Sequence, residues 1–246
     1  MTVKEHLHKN RILEGLPLSE QELILPACHL VDMNLGDEIE EAGRAIRFLH
    51  FPISSAISVT NLQSQGHMVE VTVTGKEGCA GASIILGNDR SPCMAIVQIG
   101  GVAIRIPTSD LFKQESRMPY LRAALGRYNL LMLNLAVISV GCSQFHGPTQ
   151  RIARWLKTHW HRTGIESFPF SDAFLAAQAG IEPKTASEVL KDFQKQGIVQ
   201  RKGNIVTIVN HDAMEKACCT CYALAKESTE EYLRDLAGLA ETHKES

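Results

Sequence analysis

The spacing of apolar residues becomes helical after Pro119, and this change constrains the fold more than any other feature of the sequence. Seven positions follow at alternating intervals of four and three residues, the heptad spacing of a helix–helix seam: Leu121, Leu125, Tyr128, Met132, Leu135, Ser139 and Cys142. About 24 residues at about 1.5 Å each give a helix roughly 36 Å long. Most other positions between residues 130 and 140 are also apolar, so we expect the helix to be covered on two sides.

This helix predicts a homodimer, in which one side packs on its own domain and the seam meets a second copy. A central helix buried within a monomer is the alternative. The longest apolar run, residues 130–140, has 11 positions and includes Asn134. Because a bilayer-spanning helix needs about 20 apolar residues, we expect neither a membrane helix nor a membrane partner.

The composition is that of a folded, cytoplasmic protein. Apolar residues make up 44% and charged residues 21% of the 246 positions, which excludes a disordered or collagen-like chain. The first residues lack the apolar stretch of a secretory signal, and the 7 cysteines are odd in number and irregular in spacing. These features predict reduced thiols in the cytoplasm rather than a disulfide framework.

Before the long helix, a helical stretch over residues 1–30 gives way to short β-branched runs separated by turn residues. The runs begin at Phe48, Ala56, Val69, Ala95 and Val102. Val69, Val71 and Val73 alternate with polar residues, as in a half-buried strand. Several short strands at this spacing predict an antiparallel sandwich or barrel, and a small barrel commonly encloses a ligand.

Behind Gly147-Pro148, the pattern favours a helix-turn-helix with a wing. Ser171 or Asp172 can cap a short helix, Gly180 can form the turn, and Pro183 suits the start of the second helix. The second helix has a buried stripe made of Ala186, Val189, Leu190 and Phe193. Residues 198–209 then predict a hairpin, and a helical tail follows from residue 213. A plain pair of antiparallel helices would give a similar pattern.

The net charge of −2 hides a segregation along the chain. Residues 148–210 contain 9 basic and 5 acidic residues, whereas residues 1–147 contain 12 and 14 and residues 211–246 contain 4 and 8. A basic segment between acidic flanks is typical of a polyanion-binding surface.

Several short motifs follow one another between residues 10 and 222. They are Asn10-Arg-Ile-Leu-Glu-Gly-Leu-Pro, Phe51-Pro with the strand at Ser58, Gly66 with Val69-Glu70-Val71, Gly75-Lys-Glu-Gly, Val97-Gln98, Ala103-Ile-Arg105, His146, Arg151-Ile-Ala-Arg154-Trp155-Leu156, Leu175-Ala176 with Gly180, and Gly197-Ile198-Val199. Their order and spacing resemble the Crp/Fnr family of bacterial transcription regulators.

The resemblance implies an α+β fold in three parts. Residues 1–118 would form a cyclic-nucleotide-binding-like sensor domain, an antiparallel β-barrel of the double-stranded β-helix (jelly-roll) type. Residues 119–147 would form the dimerisation helix and hinge, and residues 148–246 the winged helix-turn-helix domain with its tail. It further implies a homodimer that binds a palindromic operator in double-stranded DNA, contacts RNA polymerase and has an effector pocket in the barrel.

The effector site departs from the nucleotide-binding members of the family. In those members a Gly-Glu pair holds the ribose, and a later Arg-Ser pair holds the cyclic phosphate. Arg90-Ser91 is present here, but Ala80-Gly81-Ala82 stands where the carboxylate would be. The resemblance therefore places a small-molecule pocket at Gly81, Ala82, Arg90 and Ser91, without classical cAMP binding. No cysteine precedes Cys28, so the N-terminal cluster of the iron–sulfur members is not expected, and no cofactor is predicted.

The second helix would read DNA. Base contacts are predicted from Lys184, Thr185, Ser187 and Glu188, and phosphate contacts from Lys191, Lys195, Arg201 and Lys202. Relatives commonly have arginines where Pro183 and Glu188 stand here. The alternative function is therefore a ligand-sensing or protein-interaction module with a vestigial helix-turn-helix.

A second alternative is a redox- or metal-responsive regulator that works through Cys218, Cys219 and Cys221, with His211 nearby. A closed zinc site usually takes two separated pairs of ligands, and this is one cluster. We therefore interpret the cysteines as packing of the tail and predict no metal site.

The remaining polar groups indicate no catalytic chemistry. His159 and His161 are interpreted as surface or capping residues, His146 as a hinge hydrogen-bonding group, and Glu38, Glu40 and Glu41 as solvent-facing. The sequence has no phosphate-binding loop, no Gly-x-Ser-x-Gly, no His-Glu-x-x-His and no dinucleotide fingerprint, so an enzyme is not expected.

Overall fold

The computed structural model describes residues 2–62, 68–87 and 89–244, so Gly66 lies outside the described residues. The chain forms two compact units. The first comprises Met1–Val59, Val73–Asn134 and Ser228–Ser246, and the second comprises Thr60–Thr72 and Leu135–Glu227. The boundaries at residues 118 and 147 remain a prediction. The C-terminal tail, predicted with the helix-turn-helix, is divided between the two units.

The first unit begins with short helices, as the sequence predicted. They are the 3₁₀ helix Val3–Lys9, α1 (Arg11–Glu14), α2 (Leu18–Ile24) and the 3₁₀ helix Leu25–Ala27. Further along follow the 3₁₀ helix Ala82–Leu86, α3 (Thr108–Gln114), the 3₁₀ helix Glu115–Arg117 and α4 (Pro119–Phe145).

Within the residues that the structure describes, seven strands follow the N-terminal helices. They are β1 (His29–Met33), β2 (Glu38–Glu40), β3 (Phe48–Pro52), β4 (Ala56–Leu62), β5 (Met68–Thr74), β6 (Met94–Ile99) and β7 (Gly101–Pro107). They form an antiparallel three-stranded sheet in the order β1-β7-β3 and a four-stranded sheet in the order β2-β6-β4-β5. All five predicted runs are strands, and the α+β fold with a jelly-roll-like domain is confirmed. Within the described residues, however, these strands form two sheets and not one closed barrel.

The buried side chain of Asn10 joins three chain segments that carry the family resemblance. Its Oδ1 accepts a hydrogen bond from the Ile12 amide (3.1 Å), and its Nδ2 donates to the carbonyl oxygens of Pro52 (3.1 Å) and Gly78 (2.9 Å). The Arg11 amide donates to the Lys76 carbonyl (2.8 Å). These motifs are therefore structural, because together they satisfy buried backbone groups.

The long helix α4 begins at a buried carboxylate. Glu20 is only 2% exposed and accepts hydrogen bonds from the amides of Tyr120 (2.8 Å) and Leu121 (2.9 Å). The first amides of a helix have no partner within it, and the positive end of the helix dipole favours an anion. Glu20 supplies both requirements, so it fixes the residue at which α4 starts.

Tyr128 anchors the first half of α4. Its hydroxyl lies 2.7 Å from Thr74 Oγ1, and its ring lies 5.9 Å from the ring of Tyr232. The ring also lies directly against Gly78, where a Cβ atom would come within 2.1 Å of it. Gly78 is therefore required by close packing.

The predicted dimer seam lies mostly inside the chain. Five of its seven residues are at most 5% exposed: Leu121, Leu125, Tyr128, Leu135 and Cys142. These side chains have almost no surface to offer a second copy. A different stripe of α4 is between 61% and 64% exposed: Leu130, Leu133, Val137 and Val140. The heptad pattern located an apolar face, but it could not tell which of two faces the chain itself covers.

By length and mean hydropathy, α4 would also pass as a membrane span. A single such helix is weak evidence, because core helices pass the same test. Tyr120, Leu121, Ala124 and Leu125 are fully buried within the first unit.

The second unit contains the helices α5 (Pro148–Thr163), α6 (Asp172–Ala179), α7 (Pro183–Lys195) and α8 (His211–Ala217), and the first part of α9 (Thr220–Lys244). Its strands β8 (Ser167–Pro169), β9 (Val199–Lys202) and β10 (Ile205–Ile208) form an antiparallel sheet in the order β8-β10-β9. The sequence predicted the β9–β10 hairpin but not β8. Trp155 lies at the centre of the core, against the rings of Phe168 and Phe170.

We expect Gly78→Ala to destabilise the chain by about 1–3 kcal/mol, because the new methyl group must displace the Tyr128 ring in a filled core. Gly238→Ala is the control, since no atom lies within 4 Å of the added Cβ in helix α9. It should instead stabilise by about 0.5–1 kcal/mol. Chemical denaturation of both variants measures the difference, and a Gly78→Ala chain as stable as the parent would contradict the packing.

Candidate DNA-binding surface and sensor pocket

The turn between α6 and α7 has the backbone that a helix-turn-helix needs. Ser171 caps α6, since its Oγ accepts a hydrogen bond from the Phe174 amide (3.2 Å). Gly180 ends α6 with φ +60° and ψ +47°, the left-handed region that favours glycine. Pro183 is the first residue of α7, where a missing N–H costs nothing.

The two faces of α7 differ in burial as the sequence predicted. The inner face consists of Ala186, Val189, Leu190 and Phe193, all buried. On the outer face, Lys184, Glu188, Lys191 and Lys195 are exposed, and Thr185 and Ser187 are half-buried. The predicted base-contacting and phosphate-contacting side chains of α7 therefore lie on its outer face or at its border, and their roles remain predictions.

Arg201 is engaged within the protein. Its Nη2 lies 2.7 Å from Oδ1 of Asp172, and its Nε donates to the Gly203 carbonyl (3.0 Å). Arg201 therefore joins β9 of the wing to the first residue of α6, a role that the sequence did not reveal. Lys202, the neighbouring wing residue, is exposed.

Other basic residues of the segment are buried. Lys157 is 3% exposed, and its Nζ contacts Glu215 (3.1 Å) and the carbonyl of His211 (3.1 Å). Arg162 is 7% exposed. The exposed lysine and arginine residues of residues 148–210 are Lys184, Lys191, Lys195 and Lys202, so the exposed positive charge is concentrated on α7 and the wing.

The interpretation of His159 as a surface or capping residue is wrong. The side chain is 0% exposed and stacks on Trp155 with ring centroids 3.8 Å apart. Its Nδ1 lies 2.9 Å from the Trp155 carbonyl, and its Nε2 lies 3.6 Å from Glu70 Oε2. Trp155 and His159 are neighbours because residues four apart share a helix face. His161 is exposed, as expected.

A cleft of about 470 Å³ opens in the first unit. Of the predicted effector residues, Ser91 lines it, whereas Gly81, Ala82 and Arg90 are not among its lining residues. Arg90 is exposed and donates from Nη1 to the Gly43 carbonyl (2.8 Å). Gly81 is buried in a left-handed conformation (φ +87°), and a Cβ there would lie 2.8 Å from the Phe48 carbonyl.

Glu40 already accepts the hydrogen bond of the Ser91 hydroxyl, the group that an anionic effector would need. Ser91 Oγ donates to Glu40 Oε2 at 2.5 Å. Burial raises the pKa of Glu40, and the hydrogen bonds from Ser91 and the Gly81 backbone partly oppose that rise. Glu40 is half-buried, so its interpretation as solvent-facing is wrong, whereas Glu38 and Glu41 are exposed.

His50 also lines the cleft. Burial and the charge of Arg105 lower its pKa from 6.5 to about 4. The imidazole is therefore neutral at physiological pH. The guanidinium carbon of Arg105 lies 4.6 Å from the centroid of the Phe48 ring, so the cleft combines carboxylates, arginines and aromatic surface.

Residues 150–217 match the family model of the Crp-like helix-turn-helix domain. The chain has a Crp/Fnr-type regulator fold with a Crp-like helix-turn-helix. No curated protein matches the sequence. The resemblance found in the sequence is confirmed by this domain, which contains α6 and α7, and by solved structures of similar fold.

Solved structures of similar fold cover most of the chain. FixK2 from Bradyrhizobium japonicum is 15% identical with a TM-score of 0.66, covering 78% of this chain and 98% of its own. A protein from Eubacterium rectale, described as a proposed Crp/Fnr-family transcriptional regulator, is 13% identical with a TM-score of 0.67, covering 85% and 98%. The c-di-GMP-responsive global regulator CLP from Xanthomonas campestris is 17% identical with a TM-score of 0.59, covering 77% and 97%. At such identities the likeness concerns the fold.

The Crp-like helix-turn-helix is flanked in sequence by the residues of a side-chain cluster that the sequence did not predict. Cys142, His146, Cys219 and Cys221 place one ligand atom each within 4.8 Å of one another. His211, considered as a partner of the tail cysteines, instead lies 3.5 Å from Glu166. Burial raises the pKa of Cys142, and burial with neighbouring thiols raises the pKa of Cys221 to about 12. Without a cation, these thiols are therefore protonated.

His50 should make the chain sensitive to acid. Because its folded pKa (about 4) lies below its unfolded value (6.5), the unfolded state takes up the proton first as the pH falls. The stability present above about pH 6.5 is lost progressively down to about pH 4, by up to about 3 kcal/mol. His50→Gln should flatten the dependence of the unfolding free energy on pH in this window. The exposed His8, changed to Gln, is the control, and parallel curves for parent and His50→Gln would refute the assignment.

Proposed function

We propose that this chain is a cytoplasmic, dimeric, DNA-binding transcription regulator of the Crp/Fnr type. The observation that carries the proposal is the Crp-like helix-turn-helix over residues 150–217, whose second helix presents an exposed polar and basic face. Exposed lysines on that face and on the wing supply the attraction to phosphate on which DNA affinity depends.

Within this proposal, α7 enters the major groove of double-stranded DNA. Lys184, at the N-terminal end, donates to base acceptors, and Glu188 accepts from the amino group of cytosine. Thr185 and Ser187, at the border of the outer face of α7, make further base contacts. Lys191, Lys195 and Lys202 bind phosphates, and Arg201 holds the wing against Asp172 at 2.7 Å, so that Lys202 is presented at a fixed position.

The homodimer forms through the exposed stripe of α4, defined by Leu130, Leu133, Val137 and Val140. Their spacing of three, four and three residues is that of a helix–helix seam, and each is more than 60% exposed. Burial of such a continuous apolar stripe by a second copy removes it from water. A two-fold symmetric dimer reads a palindrome whose half-sites lie about 34 Å apart.

The cleft of the first unit is the proposed site of an effector that shifts the population of DNA-binding conformations. CLP is described as responsive to a cyclic dinucleotide, but a cyclic phosphate on Ser91 would meet the Glu40 carboxylate. We therefore expect an effector other than cAMP. A contact with RNA polymerase follows from the family resemblance.

Selection from a random pool of double-stranded DNA tests the DNA-binding function. Purified full-length protein, at about 150 mM salt so that non-specific attraction is weakened, should recover a palindrome with half-sites one helical turn apart. The selection is repeated with cell extract as a source of effector. Recovery of no sequence in either condition would overturn the proposal and favour the vestigial helix-turn-helix.

Lys184→Ala and Lys202→Ala should affect DNA binding differently. If Lys184 contacts a base, its loss costs about 1–3 kcal/mol and relaxes specificity at one operator position. Loss of Lys202 should weaken all sequences alike and reduce the salt slope by about 1. Equilibrium binding to the selected operator and to single-base variants measures both effects. A uniform loss for Lys184→Ala would make it a phosphate contact.

Val137→Glu should dissociate the dimer, because it places a charge at the centre of the exposed stripe. Ser109→Glu adds the same charge at another exposed position and should leave the dimer intact. Met132→Glu separates the two candidate seams, since Met132 belongs to the seam predicted from the sequence and not to the exposed stripe. Light scattering gives the mass of each variant. If the dimer survives Val137→Glu and is lost in Met132→Glu, the interface is the heptad seam predicted from the sequence and not the exposed stripe.

A further inference from the structure

Four ligand-type side chains converge in the second unit from two distant parts of the sequence. Cys142 lies in the last turn of α4 and His146 directly follows that helix, while Cys219 directly precedes α9 and Cys221 lies in its first turn. Cys142 and Cys219 are 77 positions apart in the chain, yet their sulfur atoms are 3.6 Å apart. The fold, rather than local sequence, brings the cluster together.

Two distances within the cluster match the edges of a tetrahedral metal site. Zinc binds sulfur at about 2.3 Å and imidazole nitrogen at about 2.0–2.1 Å, so a tetrahedron has edges of about 3.8 Å between two sulfurs and about 3.6 Å between sulfur and nitrogen. The observed separations are 3.6 Å between the sulfurs of Cys142 and Cys219 and 3.5 Å between Cys221 Sγ and His146 Nδ1. All four ligand atoms lie within 4.8 Å of one another.

The ligand types and the compactness select one kind of metal. Three thiols and one imidazole form a soft set that suits Zn²⁺ and not Mg²⁺ or Ca²⁺. An iron–sulfur cluster contains several metal atoms and needs its cysteines spread around that larger body. Four ligand atoms within 4.8 Å can instead surround a single ion.

The surroundings favour a closed, anionic complex. Cys142, Cys219 and Cys221 are at most 7% exposed, and Ile138 packs against them. Arg151 and Arg154 interact electrostatically with Cys142. Three thiolates and one neutral imidazole around Zn²⁺ carry a net charge of −1, which these arginines can balance.

We propose that Cys142, His146, Cys219 and Cys221 bind one Zn²⁺ as a structural Cys₃His site. The ion joins the end of α4 to the start of α9, the segments on either side of the Crp-like domain at residues 150–217. The site is independent of the proposed DNA-binding function, because metal binding can be measured without DNA. Its role is to hold both ends of the helix-turn-helix domain together.

Binding converts three thiols into thiolates and leaves the imidazole neutral. One Zn²⁺ therefore enters and up to three protons leave for the solvent, with no change of oxidation state. Because the ligands are assembled only in the folded chain, the free energy of binding adds to folding stability.

The experiment uses the full-length protein, purified without chelator and assayed for metal by mass spectrometry. We expect one zinc per chain. After removal of zinc under reducing conditions, titration with Co²⁺ should give the strong visible bands and the thiolate charge-transfer absorption of a tetrahedral thiolate site. Absence of zinc together with absence of these bands overturns the proposal.

Variants identify the ligands. Cys219→Ser and His146→Ala should each weaken Zn²⁺ binding about 100-fold or more, because even partners outside the first coordination sphere cost about 10–100-fold. His146 is only half-buried, so His146→Ala should fold, and circular dichroism checks this. His146→Cys supplies an alternative fourth ligand and should retain the metal.

Cys218→Ser is the matched control. Cys218 is adjacent in sequence, but its sulfur lies 3.4 Å from the Met214 carbonyl and not in the cluster. This variant should bind Zn²⁺ as the parent does. If Cys218→Ser loses as much metal as Cys219→Ser, or if His146→Ala binds as tightly as the parent, the Cys₃His assignment is wrong.

Discussion

The carboxylate of Glu20 accepts hydrogen bonds from the amides of Tyr120 and Leu121, and it thereby fixes where α4 begins. From that start, Tyr128 comes to lie against Gly78 and within hydrogen-bonding distance of Thr74. A shift of the helix by one residue would rotate every later side chain by about 100°. Which stripe of α4 is buried, and which is exposed, therefore depends on this one buried side chain.

The sequence predicted the fold class, the five β-branched strands and the helix-turn-helix, because each has a local pattern. It did not separate the two faces of α4, since Leu121 and Leu133 are equally apolar and only tertiary contacts distinguish them. It also missed the Cys142–His146 pair, in which His146 directly follows the helix that contains Cys142. The second pair, Cys219 and Cys221, is distant in sequence, and only the fold brings it beside Cys142 and His146.

The count of basic residues in the segment 148–210 overestimates the positive charge that its surface exposes. Lys157 and Arg162 count toward the basic segment, but both are buried, and Arg201 is paired with Asp172. A sum of charges cannot distinguish a lysine that packs on Trp160 from one that faces solvent. What remains exposed on α7 and at its N-cap is a mixture of lysines with Glu182, Glu188 and Asp192. Such a surface depends on shape and on specific contacts more than on bulk attraction.

The division of the chain into units has a consequence for modularity. The end of β4 and most of β5 belong to the same unit as the helix-turn-helix, and Glu70 lies 3.6 Å from the buried His159. A fragment cut at Gly147 would leave that imidazole without its carboxylate neighbour. The winged-helix domain of this chain therefore cannot be transferred to another protein by itself. Any chimera that exchanges its DNA specificity must include these β4 and β5 residues along with the helices.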